Sequence, residues 1–147
     1  MGNSNCEIPR FNAAQPEIDS LLADSKTIAM VGLSNDPEKD SYQVGLYLKK
    51  HGYTIIPINP KYEEIMGEKA YPSIKDVPTK IDIIDVFRKP DALPGLTQET
   101  LDLSEKPRGF WMQLGIAHHE SATRLKQAGI VVVQNKCIKI EHARVML

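Results

Sequence analysis

The sequence predicts an α/β fold, a single doubly wound domain in which a five-stranded parallel sheet carries helices on both faces. Two observations lead there. Short apolar runs rich in β-branched residues recur at 27–33, 53–58, 81–87, 109–114 and 130–134. Each is apolar nearly throughout, as strands buried on both faces are. Segments with helical spacing lie between most of them, and that alternation builds a parallel sheet covered on both sides.

Residues 1–14 are polar and irregular and read as a flexible lead-in, which places the folded domain at 15–147. Pro16 then opens a short helix with Ile18, Leu21 and Leu22 on one face. After the first strand, Asp40 or Ser41 can cap a helix with Val44, Tyr47 and Leu48 inward. Lys49, Lys50 and His51 fill its last turn and Gly52 follows it. Gly45 inside that helix either lets it approach the sheet closely or costs roughly 1 kcal/mol. A second helix is predicted over 90–103, with Leu93, Leu96, Thr100 and Leu103 inward and Gly95 weakening it. A third runs over 119–128 and stops at Gly129. The stretch 61–74, punctuated by Gly67 and Pro72, is longer than a simple connection and reads as an irregular loop with one helical turn.

Composition narrows the function. The chain has 147 residues, 41% hydrophobic and 25% charged, with net charge −1. That is ordinary for one globular domain and argues against a general nucleic-acid binder. The longest apolar stretches, 28–33 and 128–133, fall far short of the roughly 20 residues that span a bilayer. The first residues lack the basic and apolar regions of a secretory signal. Gly2 with Cys6 is loosely like a lipidation signal but lacks its Ser or Thr at position 6. Cys6 and Cys137 are too few for a disulfide framework, so a reducing, cytoplasmic setting is expected. Whether the chain pairs as a homodimer is left open.

In open α/β sheets the ligand lies beyond the C-terminal ends of the strands, at the switch point beside the first strand. Beyond the first strand stand Gly32, where the backbone can turn sharply, and the helix N-terminus at Ser41. Together they make a donor-rich pocket for phosphate, with Ser34 and Ser41 adding hydroxyls and Lys39 a charge. The alternative is an ordinary strand–helix turn. The dinucleotide fingerprint G-x-G-x-x-G is absent. The second strand ends in Asn59, Pro60 and Lys61 rather than in the acid that holds a ribose diol, which suits an adenine edge and an extra phosphate. NADP carries such a phosphate and stays in play. Phe87, Arg88 and Lys89 can stack on adenine and hold phosphates, or can be a core ring with two solvated cations. Gln113 is a polar residue in an apolar strand, either a ligand contact or a structural amide, and Gly115 allows close backbone approach.

Taken in order, these segments resemble the stand-alone CoA-binding domain family, small Rossmann-like proteins related to the CoA-binding domain of succinyl-CoA ligase α subunits. The matching pieces include Gly32-Leu33-Ser34, Ser41-Tyr42-Gln43-Val44, Pro57-Ile58-Asn59-Pro60-Lys61 and Gly67-Glu68-Lys69-Ala70-Tyr71-Pro72-Ser73. Further on come Asp82-Ile83-Ile84-Asp85-Val86-Phe87-Arg88, Trp111-Met112-Gln113-Leu114-Gly115-Ile116 and Cys137-Ile138-Lys139-Ile140-Glu141-His142. The resemblance covers about residues 26 to 144. It implies coenzyme A, with its ADP half across the first two strand ends and its pantetheine along the fourth. Gly32, Ser34, Ser41 and Tyr42 would then serve the phosphates, with Leu33 in the same turn and Lys39 supplying charge. Asn59, Pro60 and Lys61 would lie by the adenosine, Phe87 and Arg88 would flank the nucleotide, and Gln113 and Gly115 would border the pantetheine. Leu33 stands where the family often has alanine.

No catalytic constellation stands out. His118 and His119 sit at a predicted helix start, and Cys137 with Glu141 and His142 supplies too few ligands for zinc. The larger ligases that the chain resembles need a phosphorylatable histidine in another domain and an ATP-grasp partner. The reading is therefore a cytoplasmic protein that binds coenzyme A or an acyl-CoA without chemistry of its own and without metal, nucleic acid or membrane. A small NADP-binding oxidoreductase is the alternative. A phosphorylatable receiver, with Asp85 as its acid, fits less well because cations follow it. From placement alone, Cys137 is also a candidate for a mixed disulfide with the CoA thiol.

Overall fold

The computed structural model describes residues 8–146; Gly2 and Cys6, weighed above, lie outside them. Helix α1 (Gln15–Asp24) leads into strand β1 (Thr27–Val31), helix α2 (Asp40–Lys50) and strand β2 (Thr54–Ile58). A small hairpin of β3 (Glu64–Ile65) and β4 (Glu68–Lys69) follows. The chain then runs through β5 (Ile83–Val86), α3 (Leu93–Leu101), β6 (Gly109–Met112), α4 (His119–Gln127), β7 (Val131–Val133) and α5 (Ile138–Met146). The main sheet has five strands in the order β2-β1-β5-β6-β7. All of its pairs are parallel. The chain reverses its direction of travel across the sheet between β1 and β5, which makes that the switch point.

Strand alternation sorts the core into two layers. Ile28, Met30, Ile83 and Trp111 face α1, α2 and α5, whose Leu21, Leu48 and Ile138 meet them. Ala29, Val31, Ile84 and Phe110 face α3 and α4, which bring Leu96 and Leu125. Each strand is thus buried on both sides, which is why its sequence is a continuous apolar run. Two glycines set how closely the helices approach. A Cβ on Gly45 would lie 3.1–3.4 Å from Met66, Met30 and Leu33, so α2 is drawn onto the sheet there. One on Gly109 would collide with Leu21 of α1.

Five details differ from expectation. The predicted helix at 90–103 is a 3-10 turn at Pro90–Ala92 and then α3, so Leu103 lies past its end. Lys39 is the N-cap of α2 and makes no side-chain cap bond, so neither Asp40 nor Ser41 caps it. The loop at 61–74 contains the β3–β4 hairpin, turned by Met66 and Gly67 at positive φ, before its 3-10 turn begins at Ile74. Helix α5 was not foreseen. Residues 11–13, part of the polar lead-in, are docked along β7. Ala13 N–H donates to Val132 O at 3.2 Å, and Asn12 exchanges two 2.8 Å hydrogen bonds with the backbone of Gln134.

Candidate functional site

The strand ends at the switch point are tied together through the backbone. Gly32 N–H donates to Ile58 O at 2.9 Å, and Phe87 N–H donates to Val31 O at 2.8 Å. Gly32 turns out of β1 with φ of +89°, a conformation other residues rarely adopt. A Cβ there would stand 2.7 Å from Phe87 O and 2.9 Å from Arg88 Cδ, so the arginine stem lies directly over the glycine. The loop into α2 is braced by its own side chains. Ser34 N–H donates to Ser41 Oγ at 2.9 Å, and Asp36 N–H donates to Ser34 Oγ at 3.0 Å. Each serine oxygen accepts an amide, and each hydroxyl still has its own proton to donate.

Two clefts open on this edge. The larger, about 620 Å³, lies over the ends of β5 and β6 between α2 and α5. Phe87, Gln113, Leu114, Gly115, Cys137 and Ile140 are among its lining residues, with Arg88, Lys89 and Lys139 as its cations and Asp40 as its acid. The smaller, about 320 Å³, lies toward β1, β2 and α3 and includes Val31, Ile58, Pro60 and Glu99. Arg88 lines both. Its side chain is exposed, and among the described residues no ion pair holds its guanidinium. A cation with no partner at a junction of two clefts can take an anion without first giving up an internal bond.

The far wall rests on α5. Gln113 is buried at the end of β6, and its Oε1 accepts from Ile138 N–H at 3.1 Å. One strand-end amide therefore satisfies an orphan donor at the start of the helix. Gly115 has φ of +82°, and its N–H donates to Asn135 Oδ1 at 2.7 Å. Nothing would lie within 4 Å of a Cβ on Gly115, so backbone conformation requires the glycine and the space beside it is open. Trp111 is fully buried beneath this wall, with Nε1–H donating to Lys136 O at 2.8 Å.

One titratable group is buried under the site. Asp85 pairs in register with Met30 of β1 and Trp111 of β6 and is wholly inaccessible. Among the described residues, neither carboxylate oxygen has a hydrogen-bond partner. Burial pushes its pKa well above the usual carboxylate range, which favours the neutral acid. It does not line either cleft.

The comparisons with known proteins bear on this edge. The family model described as "CoA binding domain" matches residues 26–143. The chain belongs to the CoA binding domain family. It is 41% identical over 132 residues to the uncharacterized protein YneT of Bacillus subtilis, covering 90% of this chain and 96% of that one. A hypothetical protein from Pyrococcus horikoshii OT3 superimposes with a TM-score of 0.88 at 34% identity, covering 100% of both chains. A stretch of 57 residues is 44% identical to the α subunit of an ADP-forming acetate–CoA ligase II from Pyrococcus furiosus. That stretch is 38% of this chain and 12% of the subunit. The CoA binding domain match begins at Lys26, so β1 to α5 carry the family pattern and α1 lies outside it.

The expected ligand residues separate on the CoA binding domain scaffold. Arg88, Phe87, Gln113 and Gly115 converge on the larger cleft, with Gly32 beneath Arg88. Pro60 lines the smaller cleft. Phe87 is half-buried and lines the larger cleft with Gln113, not the smaller one with Pro60. The Leu33 side chain is fully buried in the core, so only its backbone faces the turn. The Asn59 amide is engaged locally: Nδ2–H donates to Leu33 O at 3.0 Å, and Oδ1 accepts from Lys61 N–H at 3.0 Å. The Tyr42 ring packs against the core, while Lys39 and Lys61 are exposed. Leu114, Ile140 and Lys139 join the cleft without having been assigned to it. Cys137, singled out only for its thiol, also lines it.

Proposed function

We propose that the chain binds coenzyme A across the C-terminal edge of the sheet and acts as a cytoplasmic binding module without catalytic machinery of its own. The observation that carries this is Arg88, without an ion pair among the described residues, lying over Gly32 and shared by both clefts at the switch point. A ligand with a diphosphate in the middle and unlike groups at its two ends fits that layout. In this reading the adenosine lies toward Asn59, Pro60 and Lys61. The phosphates meet Gly32, Ser34, Ser41 and Arg88, with Lys39, Tyr42 and the Leu33 backbone alongside, and the pantetheine passes Phe87, Gln113 and Gly115. The acetate–CoA ligase relative supports coenzyme A over other nucleotides, and the short share of that subunit matched supports a role confined to binding.

Isothermal titration of the ligand-free protein with CoA, dephospho-CoA and NADPH tests the reading. Heat with CoA, weaker with dephospho-CoA, is expected. Heat with NADPH alone, or with none of the three, overturns it. Cys137 in the same cleft supports a mixed disulfide as well. Its thiolate would attack one sulfur of oxidised CoA, bonding to that CoA and releasing the other as a thiolate. An unmodified Cys137 by mass spectrometry after treatment with oxidised CoA sinks that step.

A further inference from the structure

We propose that the far end of the larger cleft receives an apolar acyl group, so that the preferred ligand class is acyl-CoA thioesters with an aliphatic chain rather than free CoA. This rests on the CoA reading above and goes beyond it by naming what lies past the sulfur. The sheet order sets the direction. With adenosine over β2 and diphosphate over β1 and β5, the thiol end arrives over β6 and α5. Two large apolar side chains stand unburied there, Leu114 at 61% exposure beyond β6 and Ile140 at 52% in the first turn of α5. Ile116 lines the same cleft, half-buried. Leu114 and Ile140 come from different elements and line the same cleft, so an aliphatic chain lying along it would cover both.

At this end of the cleft, the polar groups of Gln113, Asn135 and Lys139 have partners of their own. Gln113 Oε1 already accepts from Ile138 N–H, and Asn135 Oδ1 from Gly115 N–H. The Lys139 ammonium lies 5.5 Å from the centre of the Tyr47 ring, which directs it to that ring rather than to an acyl carboxylate. Each methylene fully removed from water strengthens binding roughly four-fold. In a cleft open on one side, half of that effect in logarithmic terms, about two-fold per methylene, is the expectation.

Calorimetric titration with CoA, acetyl-CoA, hexanoyl-CoA and succinyl-CoA tests this on the wild-type chain and on Leu114→Ser and Ile140→Ser. Both positions are exposed, so the variants should fold, and circular dichroism checks that they do. Hexanoyl-CoA, with four more methylenes, should bind about sixteen-fold more tightly than acetyl-CoA, and succinyl-CoA no more tightly than acetyl-CoA. Each serine variant should lose most of the hexanoyl advantage and keep its affinity for CoA. Tight CoA binding with no gain from acetyl to hexanoyl overturns the acyl assignment and leaves the CoA reading intact. So does a gain that both serine variants retain, or a preference for succinyl-CoA. Failure of every thioester and of CoA itself overturns the parent reading and this one with it.

Discussion

Arg88 and Asp85 stand three residues apart and behave oppositely, because one side chain leaves the sheet edge and the other points into the core. Among the described residues the Arg88 guanidinium has no ion pair to lose, so Arg88→Ala should leave the melting temperature unchanged while weakening CoA binding by roughly 1–3 kcal/mol through one charge-assisted contact. Unaltered affinity in the folded variant would make Arg88 a solvated cation and nothing more. Asp85 should show itself in pH dependence. Its folded pKa is raised above the unfolded value of about 3.9, so the native state holds this proton more tightly than the unfolded chain does. Stability from this group is therefore fully present below that unfolded value and is lost as pH rises toward the folded pKa. The slope is at most about 1.4 kcal/mol per pH unit. Asp85→Asn removes the titration, so urea midpoints of wild type and variant should diverge as pH rises from about 4. Parallel curves across that range would refute the buried neutral acid. Gly32 invites a steric-block variant from its position in sequence, yet its positive φ and the nearby Phe87 carbonyl mean that Gly32→Val strains the turn itself.

At the scale of elements, α5 decides how the cleft is walled, and its start depends on Gln113. Gln113→Ala leaves the buried Ile138 amide without an acceptor and should destabilise the fold by about 1–3 kcal/mol, whereas Gln113→Glu keeps an acceptor and should recover most of the loss. Equal denaturation midpoints for wild type and the alanine variant would assign the Gln113 side chain to the ligand alone. The five sheet strands were legible because burial on both faces writes itself as unbroken apolar sequence. α5 was not legible, because its inward residues are Ile138, Glu141 and His142, and two polar residues in three erase the apolar period. Glu141 reaches Arg144 one turn on at 3.2 Å, and His142 is satisfied only across elements, its Nδ1 sharing a 2.8 Å hydrogen bond with Tyr47 Oη. The β3–β4 hairpin was missed for another reason, since two-residue strands carry no periodicity at all. Strand-end logic singled out Arg88, Gln113 and Gly115, and all three line the larger cleft. It could not separate Leu33, whose side chain turns inward, from its neighbours in the same turn.

For the whole molecule, the parallel order β2-β1-β5-β6-β7 collects every strand's C-terminal end on one edge, so one elongated ligand can touch four strands without any hinge or second domain. A ligand bound along that edge should stabilise the fold as a unit, by about 2.7 kcal/mol at a hundred-fold excess over Kd, and a melting curve that ignores saturating CoA would contradict the placement. The same edge has a buried neighbour of practical use. Trp111 is the chain's only tryptophan, fully buried, with its indole hydrogen-bonded to Lys136, next in sequence to the cleft residue Cys137. The protein thus carries its own fluorophore under the wall of its cleft. Intrinsic emission, excited selectively at the indole, should follow occupancy of that cleft in real time with no attached dye.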